Sequence, residues 1–321
     1  MTNESSSKNK FPILAQLGVL SLIMFGLFSS FIFGNPKDVN EETVTPNLTN
    51  STDNEVEVLE PISETDVTVR AKAAYVWDAK TQRTLYNKNE TAQLPLASIT
   101  KLMTALLAHE LIDSNQITTI TDRAIKQDGN GGLSVGERIE IEKLYDLALV
   151  SSSNDAAYAL GASVGELLGD DDPNNQFVKG MNIRAEMLGL ESLEFKNTTG
   201  LDLSTTEPGS IGSAKDISFL MEYILENYPE ILEPTKEETI RVYNSDGSYY
   251  DANNTNEISG KIPNLLGSKT GYTDLAGGNL TVAFDIGLNH PIIITVLGST
   301  HDERFSDVLK LVKAVQASVD K

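Results

Sequence analysis

Residues Phe11 to Gly34 run for 24 positions without a charged side chain, and Gln16 is the one strongly polar residue among them. A helix rises about 1.5 Å per residue, so this stretch reaches roughly 36 Å, enough to cross the hydrocarbon of a bilayer. Lys8 and Lys10 precede it and an acidic segment follows. Positive charge favours the cytoplasmic side, which places residues 1–10 in the cytoplasm as a short tail and exports everything after Asn35. A cleaved signal peptide is the rival reading. The run exceeds the usual apolar region of about 7–15 residues and no clear Ala-x-Ala site follows it, which favours a retained anchor. The expectation is a single-pass protein held in the lipid bilayer by a transmembrane helix over residues 11–34. The rest of the chain would lie on the extracytoplasmic face of the cell membrane.

Beyond the anchor the composition changes to Asn, Thr, Ser, Glu and Pro. Residues 35–66 hold nine acids against one base, Lys37. Few large apolar side chains are present to offset the entropy of ordering, so this stretch reads as a disordered acidic linker. Residues 67–321 then show the mixed apolar patterning of a folded domain. Part of the net charge of −21 therefore belongs to the linker.

Composition removes several chemistries from that domain. There is no cysteine, which excludes disulfides, zinc ribbons, iron–sulfur clusters and thiol nucleophiles. Three scattered histidines, His109, His290 and His301, offer little for a metal site. Forty-six acids against 25 bases argue against a nucleic-acid partner, which needs clustered Lys and Arg. A catalyst built here would use hydroxyls, amines, carboxylates or amides.

The domain reads as mixed α and β. Ala73–Ala79 and Thr84–Tyr86 form a strand pair around a short turn. Pro95 to Ile112 reads as a helix, with Pro near its start and Ile99, Leu102, Met103, Leu106 and Leu107 on one face. Further helices are expected over Ile139–Val150, Asp155–Leu168, Gln176–Leu188, Ala214–Asn227 and Glu303–Ser318. Strands are expected over Leu280–Asp285 and Ile292–Leu297. Early strands, a helical middle and late strands predict one discontinuous α/β unit with helical material inserted.

Three short motifs follow in order: Ser98-Ile99-Thr100-Lys101, Ser152-Ser153-Asn154 and Lys269-Thr270-Gly271. Ser-x-x-Lys also occurs at Ser5/Lys8, Ser7/Lys10 and Ser318/Lys321, all near chain ends. Ser98 and Lys101 stand apart because positions i and i+3 of a first helical turn share a face. A serine hydroxyl is a poor nucleophile until a base takes its proton. Lys101 can be that base if burial and a nearby cation lower its pKa, and Lys269 is the candidate cation. Ser152 is suited to relay a proton, and Asn154 to donate to and accept from a substrate amide. Lys269 and Thr270 suit a terminal carboxylate, while Gly271 lets a substrate backbone come close to a strand edge. Each residue has a plain structural reading as well. Ser98 can be an ordinary residue of a helix start, Lys101 part of a solvated face, and Lys269-Thr270-Gly271 a strand end. Ser152 and Asn154 can cap the helix that begins near Asp155.

From about Val67 onward the sequence resembles the serine D-Ala-D-Ala carboxypeptidases, the low-molecular-mass penicillin-binding proteins of the peptidase S11 type. The resemblance rests on Leu94 to Ala105 around the first motif and Ser152 to Ala157 around the second. It rests equally on Lys269 to Asp274 with Ala276-Gly277-Gly278-Asn279-Leu280 around the third. It implies a β-lactamase/DD-peptidase-like fold, an antiparallel sheet flanked by helices with a helical subdomain, over residues 67–321. It further implies an acyl-enzyme on Ser98, with Lys101 as base and Ser152 and Asn154 assisting. Lys269, Thr270, Gly271, Tyr272 and Thr273 would bind substrate, and the backbone N–H groups of Ser98 and Tyr272 would hold the oxyanion. The implied substrate is a peptidoglycan stem peptide ending in D-Ala-D-Ala, with β-lactams as inhibitors and no metal or cofactor. Many members carry a further β-rich domain and a C-terminal anchor, whereas here the anchor is expected at the other end. A class A β-lactamase is the nearest rival, and a DD-endopeptidase of the same clan that cuts cross-links is the second. The β-lactamase fits less well, because Glu186, Glu191 and Glu194 do not match its Glu-x-x-Leu-Asn pattern. A wall-binding homologue without turnover fits least, because the motifs are intact.

Overall fold

The structure is a computed structural model and describes residues 59–63, 67–129, 131–169 and 171–319. The expected tail and anchor, residues 1–34, and most of the linker lie outside the described residues. Among the described residues no helix is long and apolar enough to cross a membrane.

The chain enters the sheet with β1 (Ala73–Asp78), buried along its whole length, and turns back through β2 (Arg83–Lys88). Asp78 makes that turn: its Oδ1 accepts from the backbone N–H groups of Lys80 and Thr81, both at 3.0 Å. A short strand, β3 (Leu94–Pro95), leads into a 3₁₀ turn over Ala97–Thr100 and then helix α1 (Lys101–Leu111). The expected helix from Pro95 therefore starts later. Pro95 pairs with Ile211, and Ala97 takes a φ of +49°, which breaks helical continuity.

The inserted part follows as β4 (Ile117–Thr119), β5 (Arg138–Glu140), α2 (Ile141–Val150), α3 (Asn154–Leu168) and α4 (Pro173–Met187). Ile139, expected to open a helix, lies in β5 opposite Thr118. Helix α4 starts three residues before the expected Gln176, since Pro173 suits a first turn and Asp172 caps the backbone N–H of Asn175. Leu102, Met103, Leu106, Leu147, Leu160, Val164, Phe177 and Met181 from α1 to α4 are all buried, and these helices pack on one another.

The chain returns through β6 (Glu194–Phe195), β7 (Ser210–Gly212) and α5 (Ala214–Asn227), with Ser213 capping α5. A hairpin, β8 (Thr239–Tyr243) and β9 (Tyr249–Asn253), precedes the three long strands. These are β10 (Leu265–Thr273), β11 (Gly277–Asp285) and β12 (Pro291–Ser299), and helix α6 (Glu303–Val319) follows them. The main sheet runs β10-β11-β12-β1-β2 and every pair is antiparallel. Early and late strands thus meet where β1 pairs with β12, as the discontinuous reading requires.

Alternation along the strands gives the sheet two apolar faces. Ala74, Val76, Leu280, Val282, Ile292, Ile294 and Val296 join Phe305, Val308, Leu311, Val312 and Val315 of α6 in one core. The opposite face meets α5: Trp77 and Tyr75 pack on Phe219, and Ser218 Oγ lies 2.8 Å from Thr295 Oγ1.

The linker boundary needs correction. Leu59 is only 2 % exposed within the α6-side core, and the backbone N–H of Ile62 donates to Leu85 O at 2.7 Å. Burying one leucine contributes roughly 1.5–3 kcal/mol, enough to hold a short segment that reads as polar on average. Residues 59–63 belong to the folded domain.

Candidate active site

Ser98 sits on the 3₁₀ turn, partly exposed, and the turn is pinned from two sides. Thr100 Oγ1 donates to Ala97 O at 2.7 Å and meets Ser210 Oγ at 2.5 Å. Across the turn, the buried amide of Asn279 on β11 donates to Pro95 O (2.9 Å) and Leu96 O (3.0 Å) and accepts from Gly298 N–H (2.8 Å). This bracing holds the positive φ of Ala97 and presents the following serine to the cleft.

One turn on, Lys101 Nζ donates to Ser98 Oγ at 2.7 Å and to Thr199 O at 2.9 Å. The side chain is fully buried. Burial pushes its pKa from 10.5 down to about 7, and the carboxylate of Asp155 pulls the other way. Thr199 belongs to a loop shaped by Asn197, whose Oδ1 accepts from the N–H groups of Thr199 (3.2 Å) and Gly200 (2.7 Å). Gly200 has a φ of +80°, and a Cβ there would lie 1.9 Å from Ala97 O. Only glycine lets this loop close on the nucleophile turn.

The second motif joins α2 to α3. Ser153, not Ser152 or Asn154, is the helix cap: its Oγ accepts from Ala156 N–H at 3.1 Å. Its hydroxyl also donates to the buried Asp155 carboxylate, which accepts from Gly131 N–H (2.8 Å) and Leu133 N–H (3.0 Å). The capping alternative thus falls on the middle residue and leaves the outer two for chemistry. Ser152, at φ +60°, turns its Oγ to accept from Lys269 Nζ at 2.9 Å. Asn154 Nδ2 donates to Asp128 O at 2.6 Å, while its buried Oδ1 has no partner among the described residues.

The third motif lies on β10. Lys269 Nζ also donates to Thr270 O at 2.9 Å, and Thr270 Oγ1 lies 2.6 Å from Thr255 Oγ1. A Cβ on Gly271 would approach Leu96 O to 2.7 Å, so this strand runs against the nucleophile turn itself. The buried Arg304 on α6 donates from Nη1 to Gly271 O at 3.0 Å. Tyr272 is half exposed and meets His301 edge-on. The hydroxyl of Thr273 donates to Asp202 Oδ1 (3.1 Å) and accepts from Ala276 N–H (3.2 Å). It ties the strand end to the 197–203 loop.

Electrostatically the site gathers three basic side chains, Lys101, Lys269 and Arg304. Lys269 is held well below its ordinary pKa by burial first, then by the charges of Lys101 and Arg304. Burial is the largest cause for both amines, and the repulsion between them is mutual, each disfavouring the other's charge. An incoming carboxylate would supply the counter-charge that Lys269 lacks.

Ser98, Lys101, Ser152, Asn154, Lys269, Thr270 and Gly271 thus converge on one cleft, drawn from the helical part and the sheet. Sequence reasoning gave no role to Thr199 and Gly200, nor to Asp155, Asn279, Arg304 or Thr255. Asn197-Thr198-Thr199-Gly200 did carry a turn signal, but nothing in it points to Lys101 from 98 positions away. A serine hydroxyl hydrogen-bonded to a buried amine of lowered pKa, on a sheet flanked by helices, is an arrangement that suits serine acyl transfer, with the amine able to take the serine proton.

Comparison with known proteins agrees. Residues 60–301 match the peptidase S11 model, D-alanyl-D-alanine carboxypeptidase, and the chain belongs to that family. It is 33 % identical over 249 residues to the D-alanyl-D-alanine carboxypeptidase DacF of Bacillus subtilis, covering 75 % of this chain and 61 % of DacF. The chain thus spans about three fifths of that relative's length. A D-alanyl-D-alanine endopeptidase of Pseudomonas aeruginosa is 29 % identical, over 74 % of this chain and 75 % of its own. Penicillin-binding protein D2 of Listeria monocytogenes, solved with ampicillin bound, superposes with a TM-score of 0.66 at 28 % identity. That match covers 78 % of this chain and 98 % of the solved one.

Proposed function

We propose that this protein is a serine D-Ala-D-Ala carboxypeptidase that trims the terminal D-Ala from peptidoglycan stem pentapeptides and is acylated by β-lactams. The observation that carries this reading is the 2.7 Å contact between Lys101 Nζ and Ser98 Oγ, made by a fully buried amine lowered to about 7. Such an amine is neutral in a large fraction of molecules near neutral pH and can accept the serine proton. Ser98 Oγ attacks the penultimate D-Ala carbonyl, and the backbone N–H groups of Ser98 and Tyr272 hold the oxyanion. The terminal carboxylate lies against Lys269 and the Thr270 hydroxyl. As the C–N bond breaks, the proton passes to the leaving amine through Ser152, which Lys269 holds in place. Free D-Ala departs and water hydrolyses the ester, restoring Ser98.

Fluorescent penicillin should label the wild-type chain and leave Ser98→Ala unlabelled. Free D-Ala should appear from a stem pentapeptide with the wild type alone. Labelling that survives Ser98→Ala would move the nucleophile elsewhere. A second reading, cleavage of D-Ala-containing cross-links, draws on the Pseudomonas relative, of which this chain spans 75 % against 61 % of DacF. Cleavage of a cross-linked dimer faster than release of D-Ala from the pentapeptide would favour it. For location, we propose a single-pass anchor at residues 11–34, supported by their uncharged length and the preceding Lys8 and Lys10.

A further inference from the structure

Thr255 joins the third motif to the helix end that precedes the second. It follows β9, and its backbone N–H donates at 3.1 Å to the carbonyl of Val150, the last residue of α2. Its half-buried hydroxyl lies 2.6 Å from the Thr270 hydroxyl and 3.4 Å from the same Val150 carbonyl.

The flanking residues fix that position. Asn254 Nδ2 donates to Thr235 O and Glu237 O, both at 2.8 Å, and its Oδ1 accepts from Asn256 N–H at 2.8 Å. Asn256 is buried. Its Nδ2 donates to Ser268 Oγ on β10 at 3.0 Å, and its Oδ1 accepts from Ile258 N–H at 3.3 Å. Thr255 is thus held by its neighbours and by its own N–H, whatever its hydroxyl does. The 2.6 Å contact therefore calls for a reason other than holding the segment in place.

Two proton arrangements satisfy the pair, since each hydroxyl carries one proton and can also accept. In the first, Thr270 donates to Thr255 and Thr255 to Val150 O. In the second, Thr255 donates to Thr270, and the Thr270 proton turns toward the cleft. A carboxylate beside Lys269 only accepts, so it engages Thr270 in the second arrangement alone. The change gives up the long 3.4 Å contact to Val150 O and gains a charge-assisted bond to the anion. Donation into Thr270 Oγ1 also polarises that hydroxyl and strengthens the bond it donates.

We propose that Thr255 is a positioning residue for substrate binding, donating into Thr270 Oγ1 so that the Thr270 proton is aimed at the terminal carboxylate. Its effect reaches the substrate only through Thr270. The proposal rests on the carboxypeptidase reading above.

The test uses the full chain with benzylpenicillin and its methyl ester, which differ in whether the group presented to Lys269 and Thr270 is charged. Acylation rates are read by competition with fluorescent penicillin. The wild type should favour the acid over the ester. Thr255→Val keeps the shape and the backbone N–H but removes the hydroxyl. It should lower the acid-to-ester ratio about fivefold, which is roughly 1 kcal/mol and the net size of one hydrogen bond. Thr255→Ser should return the ratio to the wild-type value. Each ratio is taken on one enzyme, so a general loss of folded protein cancels. An unchanged ratio in Thr255→Val would overturn the proposal and leave Thr255 a structural residue. A Thr255→Ser ratio that stays at the valine value would overturn it as well, and so would equal wild-type rates on acid and ester. No acylation of the wild type by either compound would instead overturn the carboxypeptidase reading beneath it.

Discussion

Lys101 meets two demands that oppose each other, since a good base must be neutral while a buried amine must not be left without partners. Burial answers the first by lowering its pKa to about 7, and Ser98 Oγ and Thr199 O answer the second. The neutral fraction grows as pH rises through 7, so penicillin acylation should increase about tenfold per unit below that point and level off above it. A rate flat between pH 5 and pH 9 would exclude this amine as the base. Lys101→Arg should cost acylation about a thousandfold above pH 7 and progressively less below it, because a guanidinium keeps its proton throughout. The same depression carries a stability consequence. Between about pH 7 and 10.5 the unfolded chain binds more protons at this lysine than the folded one, so its contribution to stability rises with pH across that window.

At the level of elements, the site depends on how closely β10 is allowed to approach the nucleophile turn. Gly271 sets that distance, since a Cβ there would meet Leu96 O at 2.7 Å and Ile99 N at 3.2 Å. Gly271→Ala should push the strand outward and displace the Tyr272 N–H from the oxyanion. A fall of about 100- to 1000-fold in penicillin acylation is expected, with the fold retained by circular dichroism. Acylation within threefold of wild type would show that the strand can shift without cost. Asn279 and Arg304 serve the same junction from β11 and α6, one holding the turn and the other the Gly271 carbonyl. Helix α3 contributes through its cap. Ser153 takes the capping role, so Ser152 and Asn154 can point into the cleft.

For the whole molecule, the reaction centre lies where a sheet made of early and late strands meets helices inserted between them. Removing residues 1–34 should move penicillin-labelled protein from the membrane fraction to the soluble fraction without loss of labelling. Label that stays with membranes after this deletion would place the anchor elsewhere. The cut leaves Leu59 and Ile62 in place, and these lie on the core with the rest of the domain.

The amino-acid sequence by itself determined the three motifs, their order, the class of chemistry and most helix spans, because these are local properties. Ala214–Asn227 matches its expected helix residue for residue, since its apolar spacing and its Ser213 cap are both encoded within one short stretch. Short strands such as β4 to β7 were not legible, because two or three residues carry no periodicity and are defined by their partners. The 59–63 segment was misread for a related reason: average composition says nothing of one leucine reaching a core built from distant strands. Tertiary structure alone decided that the Thr199 carbonyl holds Lys101 and that Asp202 engages Thr273. Those roles depend on contacts between residues up to 98 positions apart, and a linear pattern holds no distance between them.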